Sequence, residues 1–503
     1  MAHVVLLLVP SQVHALAVAE RLLIDGSTWP TDPLVIHTDD GPIQGKAGWG
    51  VTTYHGVPFA APPVGSLRFK YAKRPTPWTA TLQTVRRAPP CPQLDLVRGL
   101  HIGEEDCLCL SVYVPSQCTI SDPCPVMQFI HGGAWIVGSN FEFGMYNATK
   151  LAVTHGVIVV AGNYRLDSLG WLALEELEKE SGSSYGNYGL HDQRLAMQWT
   201  QRNIASFGGL PNEVTLFGES AGGFSVCQHI ASPASDRLFS RAIIESGDCD
   251  GPWAIADGVD AKAWGDVYAT AAGCPAAATP GARLLCLRSL PLRQIQMPYL
   301  SWLCTWKSPK NPWCTSSVDQ AEHLPNQATL PLHAWPSPRP PLAPLAGFNA
   351  VVDGTASGLP STPLALIKQG RINRSPSGDA IKVMLGTATD EFALFMSLLP
   401  LVVHGAHLPV SDDTIDKVVR HLVAYHDSWN ATTVAQIEAA YPSGRYRTPA
   451  SRLTTLGTDV VFRCGTRAAA RALTAQGIPT YLYQFDYKHL GYLGTRAGAP
   501  TKD

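Results

Sequence analysis

A strand-forming run at residues 213–217 passes directly into Gly218-Glu219-Ser220-Ala221-Gly222-Gly223, and residues 224–231 then read as a helix. Few arrangements accommodate a serine at such a junction. At a sharp strand-to-helix turn the backbone is strained and the Oγ projects, and the glycines are required because a Cβ there would strike the neighbouring strand and helix. Gly-x-Ser-x-Gly spacing alone recurs by chance; its place between an apolar strand and a helix makes Ser220 a candidate nucleophile. The surroundings agree. Between Pro125 and Leu216 strands alternate with helices: 126–130, 156–161, the amphipathic run 192–204, then 213–217. That order predicts an α/β architecture, a parallel sheet covered by helices. Residues 381–385, followed by a helical segment, and 480–487 read as later strands of the same sheet. Residues 324–347 carry seven prolines and few charges, which suggests an ordered surface crossing more than a flexible linker. No internal repeat is found, so one elaborated domain over 20–503 is preferred to three.

Composition narrows the chemistry by exclusion. The 503 residues carry 38 Lys+Arg against 40 Asp+Glu, a net charge of −2, so bulk electrostatics points to no nucleic acid. With 45% hydrophobic and 16% charged residues, most of the chain has material for a large core. No apolar stretch reaches the roughly 18 residues of a spanning helix. Residues 1–19 read as a signal peptide cleaved after Ala17 or Ala19, although the segment before the apolar run has no Lys or Arg; the competing reading is a buried N-terminal strand or helix. Twelve cysteines favour a secreted protein. Cys91 with Cys107 and Cys274 with Cys286 would close loops, as would Cys118 with Cys124 or Cys304 with Cys314, whereas Cys227 and Cys464 fit free buried thiols in helical runs. No cysteine or Cys/His cluster has zinc spacing. The sequons Asn147-Ala-Thr, Asn373-Arg-Ser and Asn430-Ala-Thr agree with a secreted glycoprotein.

Acyl transfer needs donors aimed at the developing oxyanion. The strand 126–130 leads into His131-Gly132-Gly133-Ala134-Trp135, where glycines let backbone amides face a substrate. The N–H groups of Gly132, Gly133 and Ala221 are the expected oxyanion hole, each worth about 3–4 kcal/mol in the transition state.

With these motifs in place the sequence resembles the type-B carboxylesterases, the family of cholinesterases, fungal lipases and the non-enzymatic neuroligins. Its carriers are Gly56-Val-Pro-Phe-Ala-Ala-Pro-Pro-Val-Gly-Ser-Leu-Arg-Phe69, Glu105-Asp-Cys-Leu-Cys-Leu110, Asn163-Tyr-Arg165, Gly186-Asn-Tyr-Gly-Leu190 with Asp192-Gln193, Asn203-Ile-Ala-Ser-Phe-Gly-Gly209 and the elbow itself. The resemblance runs from about Leu34 onward and implies an α/β-hydrolase fold, with disulfides Cys91–Cys107 and Cys274–Cys286. It also implies an acid. Gly386-Thr-Ala-Thr-Asp390-Glu391 resembles the family's acid loop, with Phe392 where glycine is usual, so Glu391 is the expected triad acid; Asp390 competes as a helix N-cap.

The base is less legible. After Glu391 the sequence holds His404, His407, His421, His426 and His489. His404-Gly405 has the family's dipeptide but follows the acid too closely. His489 follows the right strand but is trailed by Leu490, and the expectation is that the family's histidine lies in a C-terminal segment beyond Asp503. Without it a serine triad falls to about 10³–10⁴-fold over water.

The expected substrate is a small-molecule carboxylic ester, with acyl length open and neither metal nor organic cofactor required. Trp135, Phe141, Phe143 and Trp171 are candidates for pocket walls or for core packing. Residues 92–106 contain no Trp where cholinesterases carry a choline-binding one, which disfavours a quaternary-ammonium substrate. A neuroligin-like adhesion or scaffold protein is the alternative from another class, and a lipase the alternative within the same chemistry.

Overall fold

The computed structural model describes residues 34–487 apart from 96–99, 183, 250, 252–253, 277–278, 297–347, 399–408 and 425–430. The expected signal peptide, the proline-rich crossing, Cys304, Cys314, Asn430, His404, His407, His426 and His489 lie outside the described residues.

Short apolar runs with alternating or continuous burial form one nine-stranded sheet. We label its strands β1 (Lys46–Gly48), β2 (Val51–Pro58), β3 (Cys109–Pro115), β4 (Cys124–Ile130), β5 (Ile158–Gly162), β6 (Gly209–Glu219), β7 (Arg241–Glu245), β8 (Lys382–Ala388) and β9 (Thr480–Phe485). The spatial order is β1-β2-β3-β5-β4-β6-β7-β8-β9. From β5 to β9 every pairing is parallel, while β3 runs antiparallel to β5 and to β2, and β1 antiparallel to β2. Val126, Ile158, Val160, Val214, Leu216, Ile244 and Leu385 are buried on these strands, as expected where helices cover a parallel sheet.

Register decides where chemistry can sit. Gly162, Ile130, Gly218, Ile244, Leu385 and Leu482 lie side by side across the six parallel strands. Therefore the loops after Ile130, Glu219, Glu245 and Ala388 all leave from one edge, the carboxyl edge at which α/β sheets bind ligands.

Among the helices, α1 (Tyr188–Asn203) packs on β5 and β6, α2 (Ala221–Ala231) on β4, β6 and β7, and α4 (Cys464–Ala475) on β8 and β9; α3 (Pro449–Thr458) packs against the segment Glu391–Leu398. Two ion pairs, one buried and one partly buried, explain much of the motif set. Arg165 gives its backbone N, Nε and Nη2 to Asp192 of α1, at 3.0, 2.7 and 2.8 Å. Arg68 grips Glu105 through Nε and Nη2, at 2.5 and 2.6 Å. Asn163 accepts from the Asn140 N–H and donates to the Cys107 carbonyl, tying the β5 exit to the glycine loop after β4.

The sulfur atoms pair as Cys91–Cys107, Cys118–Cys124, Cys227–Cys249 and Cys274–Cys286. The reading of Cys227 as a free thiol is corrected: it faces Cys249, just after β7. A buried disulfide is as apolar as a thiol, so the helical run around Cys227 carried no sign of its partner. Cys464 is free but exposed, not buried, and Cys109 is also free.

Candidate active site

Strand β6 delivers Ser220 into φ 54°, ψ −121°, a left-handed-side conformation costly for a residue with a Cβ, and α2 begins at the next residue. Two amide contacts hold the turn. The Ser220 N–H donates to the Glu245 carbonyl at 2.9 Å, and its carbonyl accepts from Phe224 N at 2.9 Å. Helix α2 opens at Ala221, three residues earlier than the apolar pattern suggested; position 222 within it is glycine because a Cβ there would run into the Ile130 carbonyl. Ser220 is only partly buried and directly follows Glu219, the last residue of β6 at the carboxyl edge.

The loop after β4 brings Gly132 against this elbow. A Cβ built on Gly132 would lie 3.3 Å from the Ser220 Cβ and 2.8 Å from the Glu219 Oε2. Gly133 takes φ +104° and its carbonyl accepts from Ile136 and Val137, both at 3.0 Å, which closes the loop tightly. Ala221 occupies the first turn of α2, where backbone N–H groups have no helical acceptor. His131, fully buried, stacks on Tyr164 and engages the Gly132 carbonyl through Nδ1 at 2.8 Å. Burial pushes its imidazole down to about 4, so it is neutral at neutral pH and fixes the loop rather than carrying charge.

The acid loop follows β8. Glu391 accepts the Ala388 N–H on Oε1 at 2.7 Å, while Asp390 precedes the 3-10 helix Glu391–Leu398 and its carbonyl accepts from Ala393 N. Phe392, in the place of the usual glycine, is buried, and its N–H donates to Thr458 Oγ1 at 3.1 Å. Its ring fits only because position 457 on α3 is glycine, where a Cβ would overlap it. Thr389 binds the end of the last strand, its N–H to the Phe485 carbonyl at 3.0 Å and its Oγ1 to Asp486 Oδ1 at 2.9 Å.

Sequence reasoning overlooked two further carboxylates. Register sets Glu219 beside Glu245, and Glu245 beside Gly386. Burial, then the charge of Glu391, then that of Glu245 push the Glu219 carboxyl up to about 7. Burial and the same three glutamates push Tyr483 up to about 12. Ser220 and Glu391 are thus brought to one edge of the sheet around a shared acidic cluster. The only signal for Glu219 was its place inside the elbow motif; nothing local marked Glu245.

Other candidates separate. Trp135 and Trp171 are core residues, buried and 6.0 Å apart, with Trp135 Nε1 donating to Ser225 Oγ at 3.0 Å. Phe141 lies under the Arg87 guanidinium, and Phe143 is exposed. Among histidines, His229 is locked between Ser235 and Gln193, and His421 lies on the helix Asp412–Ala424.

A parallel sheet whose carboxyl edge presents a strained serine between strand and helix defines an α/β-hydrolase. The structure is similar to those of a PNB esterase and a thermophilic PNB esterase, each at TM-score 0.66 and 28% identity, covering 92% of this chain and 85% and 84% of theirs. The carboxylesterase family model matches residues 32–497, and the chain belongs to that family. Carboxylesterase 1D of Rattus norvegicus is 30% identical over 486 residues, 92% of this chain and 76% of the rat protein. A probable cholinesterase of Acanthamoeba polyphaga mimivirus is 40% identical over 233 residues (43% of this chain, 39% of that protein). The para-nitrobenzyl esterase of Bacillus subtilis (strain 168) is 41% identical over 218 residues (42% and 43%). The matches to the viral and bacterial relatives span less than half of those proteins.

Proposed function

We propose that this chain hydrolyses small-molecule carboxylic esters through an acyl-enzyme on Ser220. The observation that carries the reading is the Ser220 backbone, held at φ 54° between β6 and α2 with Gly132 packed against it. In the first step a base takes the Ser220 proton and Oγ attacks the ester carbonyl. The oxyanion is received by the amides of Gly132, Gly133 and Ala221, and the alcohol leaves; water then attacks the acyl-enzyme by the same route. Glu391 orients the base and stabilises its imidazolium. The base is expected from the chain that follows Asp486, because Thr389 joins that point to the acid loop; replacing His489 with alanine tests whether it is that histidine.

The absence of Trp from residues 92–106 argues for neutral esters over choline esters. Export and glycosylation are part of the same reading, supported by the paired cysteines. An activated ester should give a burst of alcohol release, and an organophosphonate should label the protein covalently, with Ser220→Ala abolishing both. A protein that takes no label at Ser220 is a scaffold on this fold, not a hydrolase.

A further inference from the structure

We propose that Asn147 is an N-glycosylation site whose glycan covers an exposed apolar turn beside the oxyanion loop, and that Asn373, though a sequon by sequence, carries none. The inference rests on the export reading. Asn373 is 8% exposed, and its Nδ2 donates twice, to the His229 carbonyl at 2.8 Å and to the Ser232 carbonyl at 2.6 Å. A sugar on that nitrogen would replace one of the two donated hydrogens and force a bulky polar group into packed interior, so a chain glycosylated there does not reach this fold.

Asn147 is the opposite case. It is exposed, its Oδ1 accepts from Thr149 Oγ1 at 2.8 Å and Thr149 N at 3.2 Å, and its Nδ2 makes no hydrogen bond among the described residues. Nothing in the fold is lost when that nitrogen is substituted. Just before it the chain turns through Glu142 (φ 35°), Phe143 (φ 52°) and Gly144 (φ 95°). The turn leaves Phe143 57% and Met145 69% exposed. Strained backbone that displays two large apolar side chains has no packing explanation among the described residues. A pyranose attached two residues from Met145 and four from Phe143 supplies one, since its axial C–H face stacks on aromatic and thioether groups.

The covalent step uses a lipid diphosphate oligosaccharide of the secretory membrane. The Asn147 Nδ2 forms a bond to the anomeric carbon and gives up one proton, and the anomeric C–O bond breaks with release of the lipid diphosphate.

The test is expression of the full chain in eukaryotic secretory cells, once with its own N-terminus and once behind a foreign signal peptide. Glycopeptides of the exported protein are then mapped. Occupied Asn147 with unmodified Asn373 is the expected result; unmodified Asn147, or occupied Asn373 in folded exported protein, overturns it. Failure of only the native leader to export would count against the export reading and leave the site assignment standing. Asn147→Gln and Thr149→Ala should each remove one glycan's mass, and Thr149→Ser should keep it. The covering role predicts a severalfold rise in fluorescence of an apolar-surface dye on the Asn147→Gln protein; unchanged fluorescence removes that role.

Discussion

Gly132 and Glu219 are neighbours in space, and each predicts a different measurement. Alanine at Gly132 would place a methyl 2.8 Å from Glu219 Oε2 and 2.9 Å from the Glu219 carbonyl, so either the loop or the elbow must move. Displacing a preorganised donor commonly costs 10²–10³-fold. We expect Gly132→Ala to lower kcat at least about 100-fold with little change in KM. Glu219 speaks to stability. Its carboxyl titrates near 7 in the folded chain, against an ordinary value of 4.5. Between those values the native state holds a proton that the unfolded chain has released, so stability falls as pH rises through the window. The contribution is on the order of 2 kcal/mol after allowance for partial exposure. Urea unfolding of Glu219→Gln at pH 5 and pH 8 should lose that part of the pH dependence; curves parallel to the parent protein would mean that Glu219 is not held in its acid form.

At the scale of elements, the site is held by contacts between loops more than by any one loop. The Arg165 guanidinium and the Asp192 carboxylate, almost fully buried, pin the β5 exit to α1. Removing one member of such a pair strands the other, typically at about 3–5 kcal/mol, so Asp192→Ala should reduce unfolding free energy by that amount. Circular dichroism during denaturation would read it, and a loss below 1 kcal/mol would indicate that water solvates Arg165 after all. This pair also marks what was legible beforehand. The strand, elbow and helix around Ser220, and the strand leading to Gly132, are local patterns of apolar spacing and glycine placement, and the sequence carries them within about twenty residues. Pairings such as Arg68 with Glu105 or Cys227 with Cys249 depend on which distant loops the sheet brings together, and no local period encodes them. The true start of helix α2 at Ala221 is hidden from the local pattern for the same reason. Gly222 and Gly223 look like helix breakers until Ile130 and Glu245 are seen pressing on them.

For the molecule as a whole, cross-linking sets the conditions under which the fold persists. The four disulfides among the described residues close intervals of 16, 6, 22 and 12 residues. Loop-closure entropy gives each about 2–3.5 kcal/mol, together on the order of 10 kcal/mol. A native domain has only about 5–15 kcal/mol in hand. The fold is therefore expected to survive loss of one bond but not of all four. Cys227→Ala, which frees α2 from the loop after β7, should cost about 3 kcal/mol and keep measurable esterase activity at room temperature. Full reduction by a dithiol should abolish the cooperative thermal transition, and protein made in a reducing compartment should accumulate unfolded or aggregated. A reduced chain that still melts cooperatively within a few degrees of the oxidised one would show that the core alone sustains this sheet, and would remove the physical argument for export.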